Sequence, residues 1–252
     1  MPSICPDSSD PRAGSSRLAA WRPSSVCAVC RGWGRQRVCA ECLERWAAPV
    51  PRCARCALAV SAAASPTDAT LCGACLLHPP PYDAAVAALD YVFPWDGLIT
   101  RFKFHAALDL APLLAHQLGA AVQRAGVGRP ELLLPVPLGE RRLRERGYNQ
   151  AWELAKRVAR VLPCHADATL LLRVKETPHQ TALPPGERAA NVRGAFAVEP
   201  LRAGELRGRH VALVDDVMTT GATAAEIARV LRAAGAASVQ VWVVARTPPP
   251  DR

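Results

Sequence analysis

The chain has 252 residues, half of them hydrophobic, with 31 Lys or Arg against 22 Asp or Glu and 10 cysteines. That length fits one large domain, or one of about 150–180 residues with a small accessory, and the apolar content is ample for a core. Apolar stretches are broken by Arg, Asp or Pro before they could span a bilayer, which excludes membrane insertion.

Residues 1–24, rich in Ser, Pro, Asp and Gly, read as a disordered tail. They lack the basic start and apolar h-region of a signal peptide, so a cytoplasmic protein is expected. Residues 25–78 form a cysteine ladder of four C-x-x-C pairs: Cys27/Cys30, Cys39/Cys42, Cys53/Cys56 and Cys72/Cys75. Two intervening residues let both sulfurs converge on one ion, and two such knuckles complete a Cys₄ site. Disulfides would not persist in a reducing compartment, and no βαβ pattern surrounds the pairs as thioredoxin-like chemistry requires. Two structural Zn²⁺ sites are therefore expected, paired either sequentially or as a cross-brace. So few large apolar side chains cannot fold this segment by burial alone, and metal supplies the folding energy. Cys5 and Cys164 stand apart, without an assigned role.

The formal charge is +9. Eight thiolates with two Zn²⁺ would bring a net −4 and leave about +5, a modest basic surface compatible with nucleic acid. Trp33, Trp46 and the arginines at 31, 35, 37, 45, 52 and 55 lie between the knuckles. They could stack on and neutralise a single strand. The plainer expectation is that the tryptophans are ribbon core and the arginines solvated.

A boundary falls at His78-Pro-Pro-Pro81, and a second domain is expected over 82–246, followed by a tail at 247–252. Within it, residues 84–93 read as a strand, 96–105 as a helix, and Pro112 as the start of another helix ending near Gly126. Residues 132–134 give a short buried strand. The stretch after it, Pro135-Val136-Pro137 and then Arg141, Arg142, Arg144 and Arg146, follows a strand end, where α/β folds place ligands. Arginine offers phosphate a bidentate fork, and Arg144 and Arg146 are the favoured pair. An amphipathic helix follows from Ala151 to Leu162. Residues 173–194 are polar and broken by Pro178, Pro184, Pro185 and Gly186, the composition of a lid, with Lys175 and Arg188 as its cations. A Val-rich strand is expected over 238–245.

The organising stretch is Val211-Ala-Leu-Val-Asp-Asp-Val-Met-Thr-Thr-Gly-Ala-Thr223: a buried strand, two carboxylates, a small hydroxyl-rich turn, then a helix stopping at Gly235. Free N–H groups and the dipole at that helix N-terminus suit an anion. Paired acids like these also end the metal-binding strand of P-loop NTPases, but the chain has no G-x-x-x-x-G-K-[ST] loop.

This stretch resembles the 5-phosphoribosyl-1-pyrophosphate (PRPP) motif of type I phosphoribosyltransferases. With Pro135-Val-Pro-Leu138, Arg142-Leu-Arg-Glu-Arg-Gly-Tyr-Asn-Gln150, Lys103 among aromatics, the four cysteine pairs and Asn191-Val-Arg-Gly-Ala-Phe196, the chain resembles the ComF family over roughly residues 27–246. One departure is Lys103-Phe-His-Ala106, where members often have glycine in the fourth place. The resemblance implies an α/β, type I phosphoribosyltransferase-like fold with a largely parallel sheet, preceded by a double zinc ribbon. It implies that Asp215 and Asp216 meet the ribose and act in catalysis, and that Thr219, Thr220, Gly221, Ala222 and Thr223 cradle the 5′-phosphate. Val136, Pro137, Arg144 and Arg146 would form the pyrophosphate loop, and Lys175, a candidate catalytic group, would close with Arg188. Mg²⁺ would accompany PRPP. The expected function is phosphoribosyl transfer with pyrophosphate release, linked to natural competence and its machinery. The alternative is a non-catalytic PRPP-binding protein that handles single-stranded DNA.

Overall fold

The computed structural model describes residues 25–61, 70–175 and 188–249. The expected tail at 1–24, the last three residues and most of the expected lid lie outside them. In chain order, the elements are β1 (Ser25–Val26), β2 (Trp33–Gly34), α1 (Ala40–Trp46), α2 (Gly73–Leu77), β3 (Ala84–Asp90), α3 (Trp95–Phe104), α4 (Ala111–Ala125), β4 (Leu132–Pro135) and α5 (Glu140–Arg146). They continue with α6 (Gln150–Val161), β5 (His165–Ala166), β6 (Leu171–Arg173), α7 (Arg188–Val192), β7 (Phe196–Val198), β8 (His210–Met218), α8 (Ala222–Ala233) and β9 (Ser238–Arg246).

The centre is a five-stranded sheet in the order β3-β9-β8-β4-β5, parallel throughout. Its strands read as continuous apolar runs because helices cover both faces. Alternation divides the residues cleanly. Leu133, Ala212, Val214, Trp242 and Val244 pack with α3, α4 and α6, whereas Leu132, Leu134, Val211, Leu213, Val241 and Val243 pack against α8. β6 and β7 form a separate antiparallel hairpin.

Helix ends follow sequence chemistry. Asn149 caps α6, its side chain accepting from the Ala151 N–H at 2.9 Å. Gly126 closes α4 in the left-handed region at φ 60°, and Gly235 follows α8 at φ 98°. Two expectations are corrected. The strand expected over 84–93 ends at Asp90, because the chain turns at Val92 and Phe93 into α3, which begins at Trp95. The arginine-rich stretch expected to be a loop contains α5, ended by Gly147 at φ 78°.

The cysteine segment packs on the edge strand β3. One part joins the α3/α4 side: Cys27, Val38 and Cys42 share that apolar cluster, and the Trp95 indole donates to the Trp46 carbonyl at 2.6 Å. The other part covers the free edge, where the Ala85 N–H donates to the Ala54 carbonyl at 3.0 Å. Arginines expected to be solvated hold this packing. Arg37 pairs with Asp109 at 2.5 Å and Arg52 with Asp90 at 2.8 Å, while Arg55 donates to the Tyr82 carbonyl at 3.0 Å. Trp46 meets Phe93 edge-to-face at 5.4 Å, but Trp33, expected in the ribbon core, is 79% exposed. A two-residue strand pair leaves no second layer to bury that indole. No helix among the described residues is long and apolar enough to cross a membrane.

Candidate active site and metal centres

β4 runs on to β5 on one side of the sheet and β8 runs on to β9 on the other, so strand order reverses between β4 and β8. The two loops that leave these neighbouring strands diverge and open a crevice, the usual ligand position in such sheets. A cavity of about 230 Å³ lies there. Val136, Pro137, Arg142 and Arg146 line it from the β4 side, and Asp215, Asp216, Thr219, Gly221, Ala222 and Thr223 from the β8 side. Two regions far apart in sequence, each expected to bind anions, thus form one site.

Gly221 is the turn that makes this possible. It sits at φ +81°, and a Cβ there would come within 3.2 Å of the Tyr82 hydroxyl. It is the N-cap of the twelve-residue α8 and gives that helix no side-chain cap. Thr220 is exposed and outside the cavity lining, its hydroxyl accepting from the Ala222 N–H at 3.3 Å.

The helical form of α5 changes the choice of arginines. Residues four apart share a helix face, so Arg142 and Arg146 both line the cavity, while Arg144 is exposed on the other side. Of the expected pair, Arg146 lines the cavity and Arg144 does not, while Arg142 lines it as well. The Arg146 guanidinium lies 4.9 Å above the Phe104 ring and bonds the Gln150 side chain.

The two carboxylates are not equivalent. Successive strand residues point to opposite faces, and Asp216 is turned inward with 2% exposure, its Oδ2 2.9 Å from Lys103 Nζ. Its other oxygen accepts from the Val217 N–H at 2.9 Å. Burial would depress the Lys103 pKa, but the charges of Asp216 and Asp215 outweigh it and raise the lysine above its usual value. Asp215 keeps partial exposure, and its Oδ1 accepts from the Asp216 N–H at 2.8 Å. Burial pushes the Asp215 carboxyl well above its usual pKa, Asp216 adds to the rise, and Lys103 opposes it.

Lys103, Arg142, Tyr91 and Arg173 are cavity residues absent from the expected site set. Lysine is one of only three in an arginine-rich chain, and that rarity was the available signal. Lys175 is exposed just beyond β6, outside the cavity lining; the side chain of Arg188 falls outside the described residues.

The cysteines cluster sequentially, Cys27, Cys30, Cys39 and Cys42 in one group and Cys53, Cys56, Cys72 and Cys75 in the other, each with its sulfurs within 4.8 Å of one another. Cys27–Cys42, Cys30–Cys39 and Cys56–Cys72 sulfurs are 3.9, 3.7 and 3.6 Å apart. A tetrahedron with Zn–S of about 2.3 Å requires about 3.8 Å. None of these cysteines is in a disulfide. Backbone N–H groups already point at the sulfurs, Val29 and Cys39 at Cys27 (3.5 and 3.4 Å) and Cys72 at Cys53 (3.3 Å). Burial opposes ionisation of Cys27 and Cys53, but such donors outweigh it and bring the thiols down to about 6 and about 7. Both clusters fit zinc, each with four cysteines among the described residues.

The second cluster also reaches the cavity. Arg246, 7% exposed at the end of β9, donates to the Cys56 carbonyl and to the Met218 carbonyl, both at 3.0 Å.

The phosphoribosyl transferase domain family matches residues 149–250. Over 229 residues the chain is 35% identical to the DNA utilization protein YhgH of Escherichia coli K12, covering 88% of this chain and 97% of that protein. It is 35% identical over 227 residues to Competence protein F of Haemophilus influenzae, covering 87% and 96% respectively. Against Competence protein ComFC of Bacillus subtilis it is 28% identical over 150 residues, covering 59% and 58%.

Proposed function

The chain belongs to the ComF family and carries a phosphoribosyltransferase-type domain, and from that premise we propose that it binds Mg²⁺–PRPP in the crevice between β4 and β8 and transfers the phosphoribosyl group with release of pyrophosphate. The observation that carries this is the convergence of Arg142 and Arg146 from one strand-end loop with Thr219, Gly221, Ala222 and Thr223 from the other around a single cavity of about 230 Å³. Its arginine side and its helix N-terminus suit a ligand with phosphate at both ends, and Asp215 suits the sugar.

In this reading, the α8 N-terminus and the hydroxyls of Thr219 and Thr223 hold the 5′-phosphate. Asp215 accepts from a ribose hydroxyl. Asp216 acts with Lys103 as a fixed ion pair at the floor. Arg142 and Arg146 hold the leaving pyrophosphate, whose charge grows as the bond to C1 breaks, so their stabilisation is greatest in the transition state. Mg²⁺ accompanying the substrate would neutralise part of the same charge. Lys175 and Arg188 remain candidates for closing over the site. The cysteine clusters would hold structural zinc.

A second reading has one observation in its favour. Trp33, Phe93 and Phe104 are 79, 64 and 58% exposed, and Arg146 stacks on Phe104 at the cavity mouth. Exposed aromatics with arginine suit single-stranded DNA, as the relatives' names would suggest, and PRPP would then be a ligand without turnover. Pyrophosphate release from Mg²⁺–PRPP, tested with a panel of bases and with single-stranded DNA, decides between them. Release dependent on one acceptor and absent in Asp215→Asn/Asp216→Asn supports transfer. PRPP binding without release, together with salt-sensitive retardation of single strands, favours the second reading. No PRPP binding by calorimetry sinks both.

A further inference from the structure

The crevice and the second cysteine cluster share a wall, and Arg246 spans it. Its Nε donates to the Cys56 carbonyl at 3.0 Å. Its Nη1 donates to the Met218 carbonyl at 3.0 Å and the Thr247 carbonyl at 2.9 Å, and also reaches the Thr219 carbonyl. A guanidinium is a planar fork whose donors cannot move independently, so a shift of the knuckle carbonyl at one end is felt by the phosphate-loop carbonyls at the other.

A second strut runs beside it. Arg55, in the same knuckle, donates to the Tyr82 carbonyl at 3.0 Å. The Tyr82 ring is 3% exposed, and its hydroxyl lies 3.9 Å from Met218 Sδ, directly under Gly221. Both struts begin between Cys53 and Cys56 and end at residues 218–221. The first cluster is attached differently: its neighbours bond Trp95 and Asp109, neither of which lines the cavity.

We propose that Arg246 is a positioning residue that couples metal occupancy of Cys53, Cys56, Cys72 and Cys75 to the order of the 218–223 loop and to its affinity for phosphate. A bound metal fixes the knuckle and hence the carbonyl that Arg246 grips. Loss of metal frees that carbonyl, and the loop backbone loses its brace. Coupling between two sites is reciprocal, so a ligand on the loop tightens the second cluster's hold on its metal by the same factor. This part rests on the reading of the loop as the phosphate cradle of PRPP.

The test uses the full, zinc-loaded chain. A zinc-selective chelator is added with N-ethylmaleimide, and peptide mapping follows alkylation of each cluster with and without saturating Mg²⁺–PRPP. The expected result is that PRPP slows alkylation of Cys53, Cys56, Cys72 and Cys75 by at least about fivefold and leaves Cys27, Cys30, Cys39 and Cys42 unchanged. In Arg246→Gln the protection disappears; Arg246→Lys, which keeps one donor, retains part of it. Amide hydrogen exchange gives an arm that needs no ligand: emptying the second cluster should speed exchange at 218–223 in the native sequence, and should not speed it further in Arg246→Gln. If that variant fails to fold, the two arms on the native sequence still decide. Equal alkylation rates with PRPP demonstrably bound, or unchanged loop exchange after metal loss, overturns the coupling. If PRPP does not bind at all, the functional reading fails and the exchange arm alone judges the coupling.

Discussion

Replacing Lys103 by Met keeps an unbranched apolar stem and removes the charge that faces Asp216. The groups are 2.9 Å apart, with 21% of the lysine side chain and 2% of the aspartate exposed. At an effective dielectric constant of about 20, that separation gives a gross attraction of about 6 kcal/mol. Desolvation cancels much of it, and Asp216 keeps its bond from the Val217 N–H at 2.9 Å. The cost of leaving this carboxylate alone is then about 3 kcal/mol, the low end for a buried pair. Asp216→Asn should cost less, about 1 kcal/mol, because Lys103 can turn its ammonium toward water. With both replaced, no unpaired charge remains, and the double variant should be more stable than the sum by about 2 kcal/mol. Urea denaturation of the zinc-loaded proteins at pH 7 measures all three. A Lys103→Met loss under about 1 kcal/mol, or simple additivity, would refute the reasoning that this pair is a fixed buried element of the site.

Ala106, the C′ residue of α3, lies at φ +49°, where glycine is easier by about 1 kcal/mol; after the entropy glycine loses on folding, Ala106→Gly should raise stability by about 0.5 kcal/mol, and a lower urea midpoint would contradict this. Gly221→Ala forces a Cβ to 3.2 Å from the Tyr82 hydroxyl at φ +81° and should cost about 1–3 kcal/mol in the same assay. Arg142→Ala should weaken pyrophosphate binding about tenfold or more and Arg144→Ala hardly at all, by calorimetry; equal effects would mean that α5 does not present one face to the ligand. Burial alone would raise the Asp167 carboxyl, but donation from Arg202 and from Thr169 and Leu170 holds it far below the usual carboxylate range. A depressed folded pKa adds stability above about pH 4 that is lost as pH falls toward the folded value. Asp167→Asn should therefore cost about 1–2 kcal/mol at pH 7, discounted because Arg202 is 34% exposed, and progressively less as the pH falls below about 4.

The strand–turn–helix around Asp215 was legible because three local signals agree there: an apolar run, a glycine turn and a 3.6-residue period. The cysteine knuckles were equally plain, though only the folded chain shows that the clusters pair sequentially. Spacing within each knuckle is local, whereas pairing depends on how α1 and the Ala85–Ala54 contact seat the segment on the sheet. Arg144 was favoured over Arg142 because a run of charges carries no apolar periodicity to betray α5, so its faces were hidden. Lys103 and Arg246 act across 113 and 190 residues of chain, on Asp216 and on Cys56. No local pattern announces such pairs. Asp216, read as a ribose contact, emerges as the buried half of one of them.

The edge strand β3 has a consequence for the order in which the molecule is made. Its neighbour in the sheet is β9, with Ala84 opposite Gln240 and Asp90 opposite Arg246. At about 5–20 residues per second, a ribosome needs on the order of ten to thirty seconds to deliver that partner. Through this interval an apolar strand would stand unpaired, the condition under which nascent chains associate wrongly. In the folded chain the cysteine segment, which is made before β3, gives its Ala54 carbonyl to the Ala85 N–H while Arg52 pairs with Asp90. The cysteine segment thus closes one edge of β3 in cis, and only the edge that faces β9 waits for the last strand.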